Sequence, residues 1–296
     1  MEEISIEELT SKKIFNLLID IEKNRNAYIS EVYNQEYLHQ IRVSIRKIRA
    51  LCSLLKKYFK DNKAQDCKSS FSLIAKYTNE ARDIDVYLIK LQEYKNILPK
   101  KRAKDIDVII HYLKDQKDTE YNKLSTFFKS ERYVYTILKY KSAFKSNSIL
   151  RSAKTNAQET AKENLIKVHN KIVTNGLKLD INSSNSEFHR LRIEFKKLRY
   201  LIELFESFYS QFQYQSIVDK LKKIQDILGS FNDYDIQKKK LKSFIETLHL
   251  NKDQRDTLGL LIEHFEDEQE KLKRKFHKKF KNFCDNYFKE QMVNFG

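Results

Sequence analysis

Apolar residues recur every three or four positions along most of the chain, and this spacing predicts helices. In residues 35–60 the apolar positions include Ile41, Ile45, Ile48 and Leu55, which share one face when each residue advances about 100°. Helix breakers are scarce, because the 296 residues include only 4 Gly and one Pro. We therefore predict an all-α protein, with helices near residues 4–32, 35–60, 62–80, 83–97, 101–129, 149–176, 185–209, 212–229, 232–248 and 252–288.

The predicted breaks rest on a few residues. Pro99 and the lysines around it mark one break, and Asn175 with Gly176 ends another helix. The segment 181–187 supplies N-cap residues, so we predict a linker there. We also predict that Gly229 closes a helix before an N-D-Y-D turn.

Two stretches of the chain carry the same pattern. HQIRVSIRKIRALCSLL and HRLRIEFKKLRYLIELF align on His39 and His189, an offset of 150 residues. The same offset pairs EARDIDVY (80–87) with SFNDYDIQ (230–237). Because two separate motifs keep one offset, we predict an internal duplication. The prediction is a single domain over residues 1–296, with one half at about 10–148 and the other at about 149–290.

The cationic side chains of each copy form a stripe. On an ideal helix, those of the first copy span an arc of about 80° that borders the apolar face. We call His39, Arg42, Arg46 and Arg49 the first stripe. The second stripe is His189, Arg192, Lys196 and Arg199.

The charge balance favours an anionic partner for these stripes. Fifty-seven Lys and Arg stand against 41 Asp and Glu, giving a net charge of +16 and a pI near 9.4. A lysine-rich composition or a solvated helix face could also produce such a surplus. However, residues 39–60 contain no acid, and like charges three or four positions apart cost a few tenths of a kcal/mol per pair. A bound phosphate polymer would offset this repulsion, since arginine donates two hydrogen bonds to one phosphate.

The doubled pattern H-x-x-R-x-x-x-[RK]-K-x-R, with A-R-D-I-D-V and F-N-D-Y-D-I following, resembles the CHAD family, the conserved histidine α-helical domain. The resemblance extends from about residue 10 to 290. It implies two pseudo-symmetric helical bundles around a central basic channel that binds inorganic polyphosphate. It also implies that the eight residues of the two stripes line that channel.

The second copy departs from the first. Lys196 stands at the position of Arg46, and Asn232 at that of Arg82. Glu203 follows the second stripe at the place that Ser53 holds after the first. These differences leave room for unequal binding by the two halves. The chain also lacks the E-x-E-x-K signature of the triphosphate-tunnel domain found in many family members, so we expect a stand-alone binding module.

The repeated aspartates have two interpretations. A metal-dependent phosphohydrolase could use such carboxylates with Mg²⁺. The interpretation that we favour is that they cap helices or pair with the stripe arginines. No glycine-rich phosphate loop or cluster of histidines accompanies Asp83, Asp85, Asp233 and Asp235. We therefore predict no catalytic residue, no metal site and no cofactor.

Other charged residues are predicted to support polyphosphate binding from positions outside the two stripes or beside them. The segment 271–281 predicts an amphipathic basic helix with Leu272, Phe276, Phe280 and Phe283 on its apolar side. This helix could be a channel wall, plain surface, or a nonspecific nucleic-acid or membrane-surface helix. The supporting residues are Lys47, Lys56, Arg82, Lys197, Lys271, Arg274, Lys278, Asp83 and Asp233.

Features outside the stripes indicate the cellular compartment in which the protein is expected. Cys52, Cys67 and Cys284 are scattered and odd in number, which favours free thiols in a reducing compartment. The polar, acidic N-terminus is unlike a signal peptide, and no apolar run reaches the ~18 residues of a membrane span. We expect a cytoplasmic protein with no membrane partner, and polyphosphate granules are a candidate location.

These observations lead to a non-catalytic protein that binds inorganic polyphosphate. The alternative is a protein that binds RNA or polyanions in general. The sequence has no Trp and no RNP-like strand motif, so base stacking and sequence-specific nucleic-acid binding are not favoured. A polyphosphate hydrolase ranks third.

Overall fold

Helices and the short segments that connect them make up the residues that the computed structural model describes, which are 4–31, 34–152, 155–284 and 286–295, without the side chains of 286 and 287. This part of the chain contains two isolated antiparallel bridges and no strand. Two 3₁₀ turns, Lys56–Tyr58 and Glu206–Phe208, follow two of the helices. The α-helices are α1 Ile6–Ser30, α2 Gln35–Leu54, α3 Lys63–Tyr77, α4 Asn79–Ile97, α5 Asp107–Lys129, α6 Glu131–Lys145, α7 Ala157–Gly176, α8 Asn185–Leu204, α9 Gln211–Thr247, α10 Lys252–Phe283 and α11 Asn286–Val293. The all-α prediction is confirmed.

The helices group into two compact units. The first comprises the described residues of Met1–Gln92 and Ile110–Thr160, and the second those of Glu93–Ile109 and Ala161–Gly296. In the first unit α1 packs on α2 and α6, and α2 packs on α3. In the second unit α9 packs on α8 and α10. Each unit thus contains one of the two helices that carry a stripe.

The helices α2 and α8 begin and end at matching positions of the repeat. Each has 20 residues, and each is followed after one residue by a 3₁₀ turn. The N-cap residues also match. The side chain of Asn34 accepts a hydrogen bond from the Glu36 amide, and Ser184 forms a capping box with Glu187. Because capping side chains satisfy amides that lack a helical partner, these residues fix where both helices begin.

Both stripes border a buried face. In α2, Ile41, Ile45 and Ile48 are at most 1% exposed. In α8, Phe195 and Leu198 are fully buried. The predicted geometry is therefore confirmed, because the cationic side chains lie beside core residues rather than opposite them.

The predicted helix end at Gly229 is wrong. The helix α9 runs unbroken through Gly229 and the predicted N-D-Y-D turn. In the first unit the matching segment is split into α3 and α4 at Thr78, whose hydroxyl donates a hydrogen bond to the Ala75 carbonyl at 2.7 Å. A glycine inside a helix costs about 1 kcal/mol relative to alanine. The buried side chains of Ile227, Leu228 and Phe231 hold α9 together despite that cost.

A second difference concerns α6, which lies between two predicted helices. Its side chains at Tyr133, Ile137, Tyr140 and Phe144 are at most 2% exposed, and this spacing is helical. Ser130 caps the helix by accepting a hydrogen bond from the Tyr133 amide. The pattern was present in the sequence, but lysines and tyrosines dilute it.

Several predicted boundaries also shift. The fifth predicted helix begins at Asp107 instead of residue 101, and the sixth at Ala157 instead of residue 149. Residue 32 of the first predicted helix, residues 153–154 of the sixth and residue 285 of the last lie outside the described residues. The predicted ends near Pro99 and at Gly176 are confirmed, because α4 ends at Ile97 and α7 at Gly176.

Candidate functional site

The first stripe lies on α2 in a partly accessible setting. His39, Arg42 and Arg49 are half-buried, whereas Arg46 is exposed. Guanidinium groups at the edge of a core keep their apolar stems packed while their donors face outward. This arrangement presents charge to a ligand with little movement of the side chains.

Arg42 is held in place mainly by neutral acceptors at the start of α4. Its Nη1 donates to Thr78 Oγ1 at 2.6 Å and to Asn79 Oδ1 at 2.8 Å. Burial lowers the pKa of Arg42, and the charge of Asp83 opposes this effect. Arginine remains protonated at neutral pH in proteins, so Arg42 is a fixed positive charge.

Arg46 and Arg49 have few internal partners. The Arg46 Nε donates a long hydrogen bond of 3.4 Å to the Arg42 carbonyl. The Arg49 Nε is buried and has no hydrogen-bond partner among the described residues. A buried donor without an acceptor is costly, so an anion that accepts from Arg49 would satisfy a group that the fold leaves unsatisfied.

The stripe histidines contact matching positions of the repeat. His39 Nδ1 lies 3.3 Å from Arg82 Nη2, and His189 Nδ1 hydrogen-bonds the side-chain oxygen of Asn232. Asn232 is the residue that replaces Arg82 in the second copy, so the contact persists although its chemistry changes. Because arginine only donates, His39 Nδ1 must be the acceptor, which leaves the Nε2 proton of the neutral ring available. Burial and then the charge of Arg82 lower the pKa of His39.

The arginines of the second stripe have acidic partners. Arg192 Nη2 lies 3.9 Å from Asp233 Oδ1. The Arg199 Nε donates to Glu203 Oε1 at 2.9 Å, and its Nη1 donates to Gln225 Oε1 at 3.3 Å. Lys196 is half-buried at the position of the exposed Arg46. The second stripe is thus more neutralised than the first.

A lysine flanks each stripe at matching positions, Lys47 beside the first and Lys197 beside the second. Lys197 lies 2.8 Å from Glu194, which also pairs with Lys171 at 3.1 Å. Burial alone would raise the pKa of Glu194, but the hydrogen bonds from these two lysines outweigh it, and the pKa is lowered. Lys47 is half-buried at the position of Lys197, and Lys56 is exposed in the 3₁₀ turn.

The repeated aspartates do not act in pairs. Asp83 is exposed and interacts electrostatically with Arg42, while Asp233 pairs with Arg192. By contrast, Asp85 is fully buried and accepts a hydrogen bond from Tyr121. Residues two apart in a helix point to different sides, so each pair is divided between two environments.

The second member of each pair has a structural role. Asp85 Oδ1 also lies 3.7 Å from the Lys117 ammonium. Asp235 accepts hydrogen bonds from Asn185 at 2.5 Å and Lys239 at 2.7 Å. Among the described residues, Asp233 pairs with a stripe arginine and Asp83 acts on one electrostatically, and all four aspartates lie within helices rather than at N-caps. Among the described residues no three His, Cys, Asp or Glu side chains are placed to hold a metal ion.

The three basic residues of α10 that were predicted to support the site lie on its exposed side, whereas Lys273 is buried. Phe276, Phe280 and Phe283 are at most 3% exposed, which confirms the amphipathic prediction. Lys271, Arg274 and Lys278 are exposed, and Lys271 pairs with Glu268 at 2.7 Å. No hydrogen bond or ion pair joins these three cations to either stripe within the described part of the chain.

Sequence reasoning missed the residues that hold the stripe arginines. Thr78, Asn79 and Gln225 are the acceptors that orient Arg42 and Arg199. All three are ordinary polar residues in helical segments, and only the packing of α3 and α9 on the stripe helices brings them close. A comparison of matched repeat positions could have drawn attention to Gln225, because alanine stands at the corresponding position 75.

The architecture defines an all-α protein with two matched cationic helices. The family model described as the CHAD domain matches residues 15–242. This chain belongs to the CHAD domain family, as its doubled histidine and arginine pattern predicted.

Two solved structures share the fold. The crystal structure of the CHAD domain from the plant Ricinus communis is 18% identical, with a TM-score of 0.80 over 94% of this chain and 92% of that one. PptA from Streptomyces chartreusis is 12% identical, with a TM-score of 0.75 over 94% of this chain and 99% of that one. At these identities the likeness concerns the fold alone. No curated protein matches the sequence significantly.

Proposed function

We propose that this protein binds inorganic polyphosphate through its two stripes and does not catalyse a reaction. The observation that carries the proposal is the first stripe. Arg42, Arg46 and Arg49 occupy one edge of α2, and among the described residues Asp83 is the acid whose charge acts on Arg42. A phosphate chain supplies closely spaced oxygens that accept from such donors.

The surroundings of the stripes support a phosphate polymer over a base-reading function. The side chains that contact the first stripe include Arg82, Thr78 and Asn79. None of these three offers the aromatic face on which single-stranded bases stack. The basic channel implied by the family resemblance stays a prediction, and so does an association with polyphosphate granules.

The absence of catalysis is part of the proposal. A two-carboxylate metal site would need Asp83 and Asp85 on one side of their helix, yet Asp85 is buried against Tyr121. The same division separates Asp233 from Asp235. A binding role requires none of these carboxylates to meet.

Competition binding tests the ligand. Labelled long-chain polyphosphate is displaced by RNA, duplex DNA or ATP at one fixed salt concentration. We expect unlabelled polyphosphate to compete at least about a hundredfold better than RNA at equal phosphate concentration, since the stripes contact phosphate and not bases. Equal competition by RNA would assign the chain to general polyanion binders.

A stripe variant tests the site. We expect R42A/R46A/R49A to abolish polyphosphate binding, because it removes every permanent charge of the first stripe. The control K12A/K129A/K145A removes the same charge from three exposed lysines outside the stripes. Circular dichroism and a thermal melt of both variants show whether the helices persist. Equal losses in the two variants would contradict the site and leave only an effect of net charge.

In the described residues, no helix is long and apolar enough to cross a membrane. The competition assay also tests the alternative that α10 binds a membrane surface. Vesicles with anionic headgroups can be added as a further competitor, and we expect them to compete poorly.

A further inference from the structure

The two stripes share one geometry but differ in charge compensation. Residues 37–60 contain seven Lys or Arg and no acid. The matching residues 187–210 contain five Lys or Arg and four Glu. The helices that carry these residues have the same length and matching bounds, so the difference lies in side chains and not in the backbone.

The contrast is sharpest at the last arginine of each stripe. Arg199 donates to Glu203 and to Gln225, and Gln225 is itself fixed by a 2.9 Å hydrogen bond to the Phe195 carbonyl. Serine and alanine occupy the matching positions 53 and 75. The Arg49 Nε, which matches the donor that Glu203 satisfies, has no hydrogen-bond partner among the described residues.

The first arginines of the stripes do not show this contrast. Arg42 interacts with Asp83 and Arg192 with Asp233, at matching positions. Both aspartates are exposed, so water screens them in both units. The asymmetry is therefore local to Arg49 and Arg199, with a further acid, Glu194, beside the second stripe.

We infer that the first stripe is the primary phosphate site and that Glu203 is an internal competitor which occupies Arg199. This inference rests on the proposed function. A phosphate binds the Arg49 guanidinium without displacing a carboxylate, because serine stands at position 53 where the second unit has Glu203. At Arg199 the phosphate must replace a carboxylate and then remain beside it as a like charge.

The ligand class that reveals this difference is a short oligophosphate. Tripolyphosphate has too few phosphates to gain from many weak contacts, so it binds where single contacts are strongest. It binds to the first unit alone, whereas a long chain also recruits the second stripe. The protein therefore retains affinity for short phosphate oligomers through the first unit.

Isothermal titration with tripolyphosphate, at low salt and on the full chain, tests the inference through matched positions. We expect R49A to weaken binding on the order of tenfold. We expect R199A to change it less than about twofold, because Glu203 already neutralises Arg199.

A reciprocal exchange avoids reliance on arginine truncation. S53E gives Arg49 the acid partner that Arg199 has, so it should weaken tripolyphosphate binding on the order of fivefold. The neutral control S53Q should leave binding unchanged. E203Q should strengthen the binding of long-chain polyphosphate, with E246Q as the control for net charge. Residue 246 is exposed and lies about 30 Å along α9 from Gln225.

The outcomes separate the inference from the proposed function. If tripolyphosphate binding depends equally on Arg49 and Arg199, or if E203Q and E246Q behave alike, the inference is wrong and polyphosphate binding stands. Binding of the long chain without any binding of tripolyphosphate would also overturn the inference alone. If the wild-type chain binds neither ligand, both proposals fail.

Discussion

The salt dependence of polyphosphate binding should report how many stripe charges the ligand neutralises. Each cation that replaces a counterion on a single-stranded polyanion contributes about 0.7 to the slope of log K against log salt concentration. Among the described residues, no ion pair is found for Arg42, Arg46 or Arg49. The exposed Asp83 acts on Arg42 electrostatically, and water screens its charge. Their combined contribution is therefore a slope of about −2.

The variant R46A/R49A should flatten this slope by about 1.4, because two of the three charges are gone. R199A should change it little, since Glu203 lies 2.9 Å from that guanidinium and few counterions are bound there. The assay is fluorescence anisotropy of labelled polyphosphate from about 50 to 200 mM salt, at a pH where the histidines are neutral. A wild-type slope near zero would refute charge neutralisation as the source of affinity. An unchanged slope in R46A/R49A would refute the assignment to these residues.

Two further predictions concern stability and pH. A Cβ atom at position 176 would lie 2.1 Å from the ring of Phe280, whereas one at position 229 meets nothing within 4 Å. Urea unfolding should show that Gly176→Ala lowers the free energy of unfolding by about 1–3 kcal/mol. Gly229→Ala should raise it by up to about 1 kcal/mol. Loss of stability in both variants would contradict the geometry. Burial and Arg82 lower the pKa of His39, so the unfolded chain takes up its proton first and the free protein loses stability as pH falls through about 6.5. A bound polyanion favours the protonated ring, so polyphosphate affinity should rise over the same fall in pH. His39→Gln should reduce this rise in a binding assay at several pH values. An equal rise in affinity in the variant would show that another group causes it.

Most of the helical architecture could be predicted because it depends on local rules. The spacing of Ile41, Ile45 and Ile48 fixes the buried face of α2, and these residues are at most 1% exposed. Ser184 caps α8 within the segment 181–187, which was predicted to supply N-cap residues. The position of each stripe beside the core follows from the same periodicity, so it too was accessible from the sequence.

The failures share a physical cause, which is tertiary context. Gly229 is a helix terminator by propensity, but Leu228 and Phe231 bury their side chains and keep α9 continuous. The contacts of His39 with Arg82 and of His189 with Asn232 each join residues that are 43 positions apart. No local pattern encodes such a contact, because it depends on how two helices pack.

The two matched stretches of the chain show which kinds of interaction differ between them. Core positions keep their apolar character, since replacing a buried Leu201 or Phe195 by a polar group would cost several kcal/mol. The rim differs, because a partly exposed pair such as Arg199 with Glu203 adds at most about 1 kcal/mol to stability. Its effect on a phosphate ligand is larger, since the same carboxylate both occupies the donor and repels the anion. Rim substitutions can therefore adjust phosphate affinity in one unit while the two stripe helices keep the same length and matching bounds. The inferred difference in phosphate affinity between the two stripes is therefore physically reasonable, because helix stability depends on packing whereas affinity for an anion depends on charge.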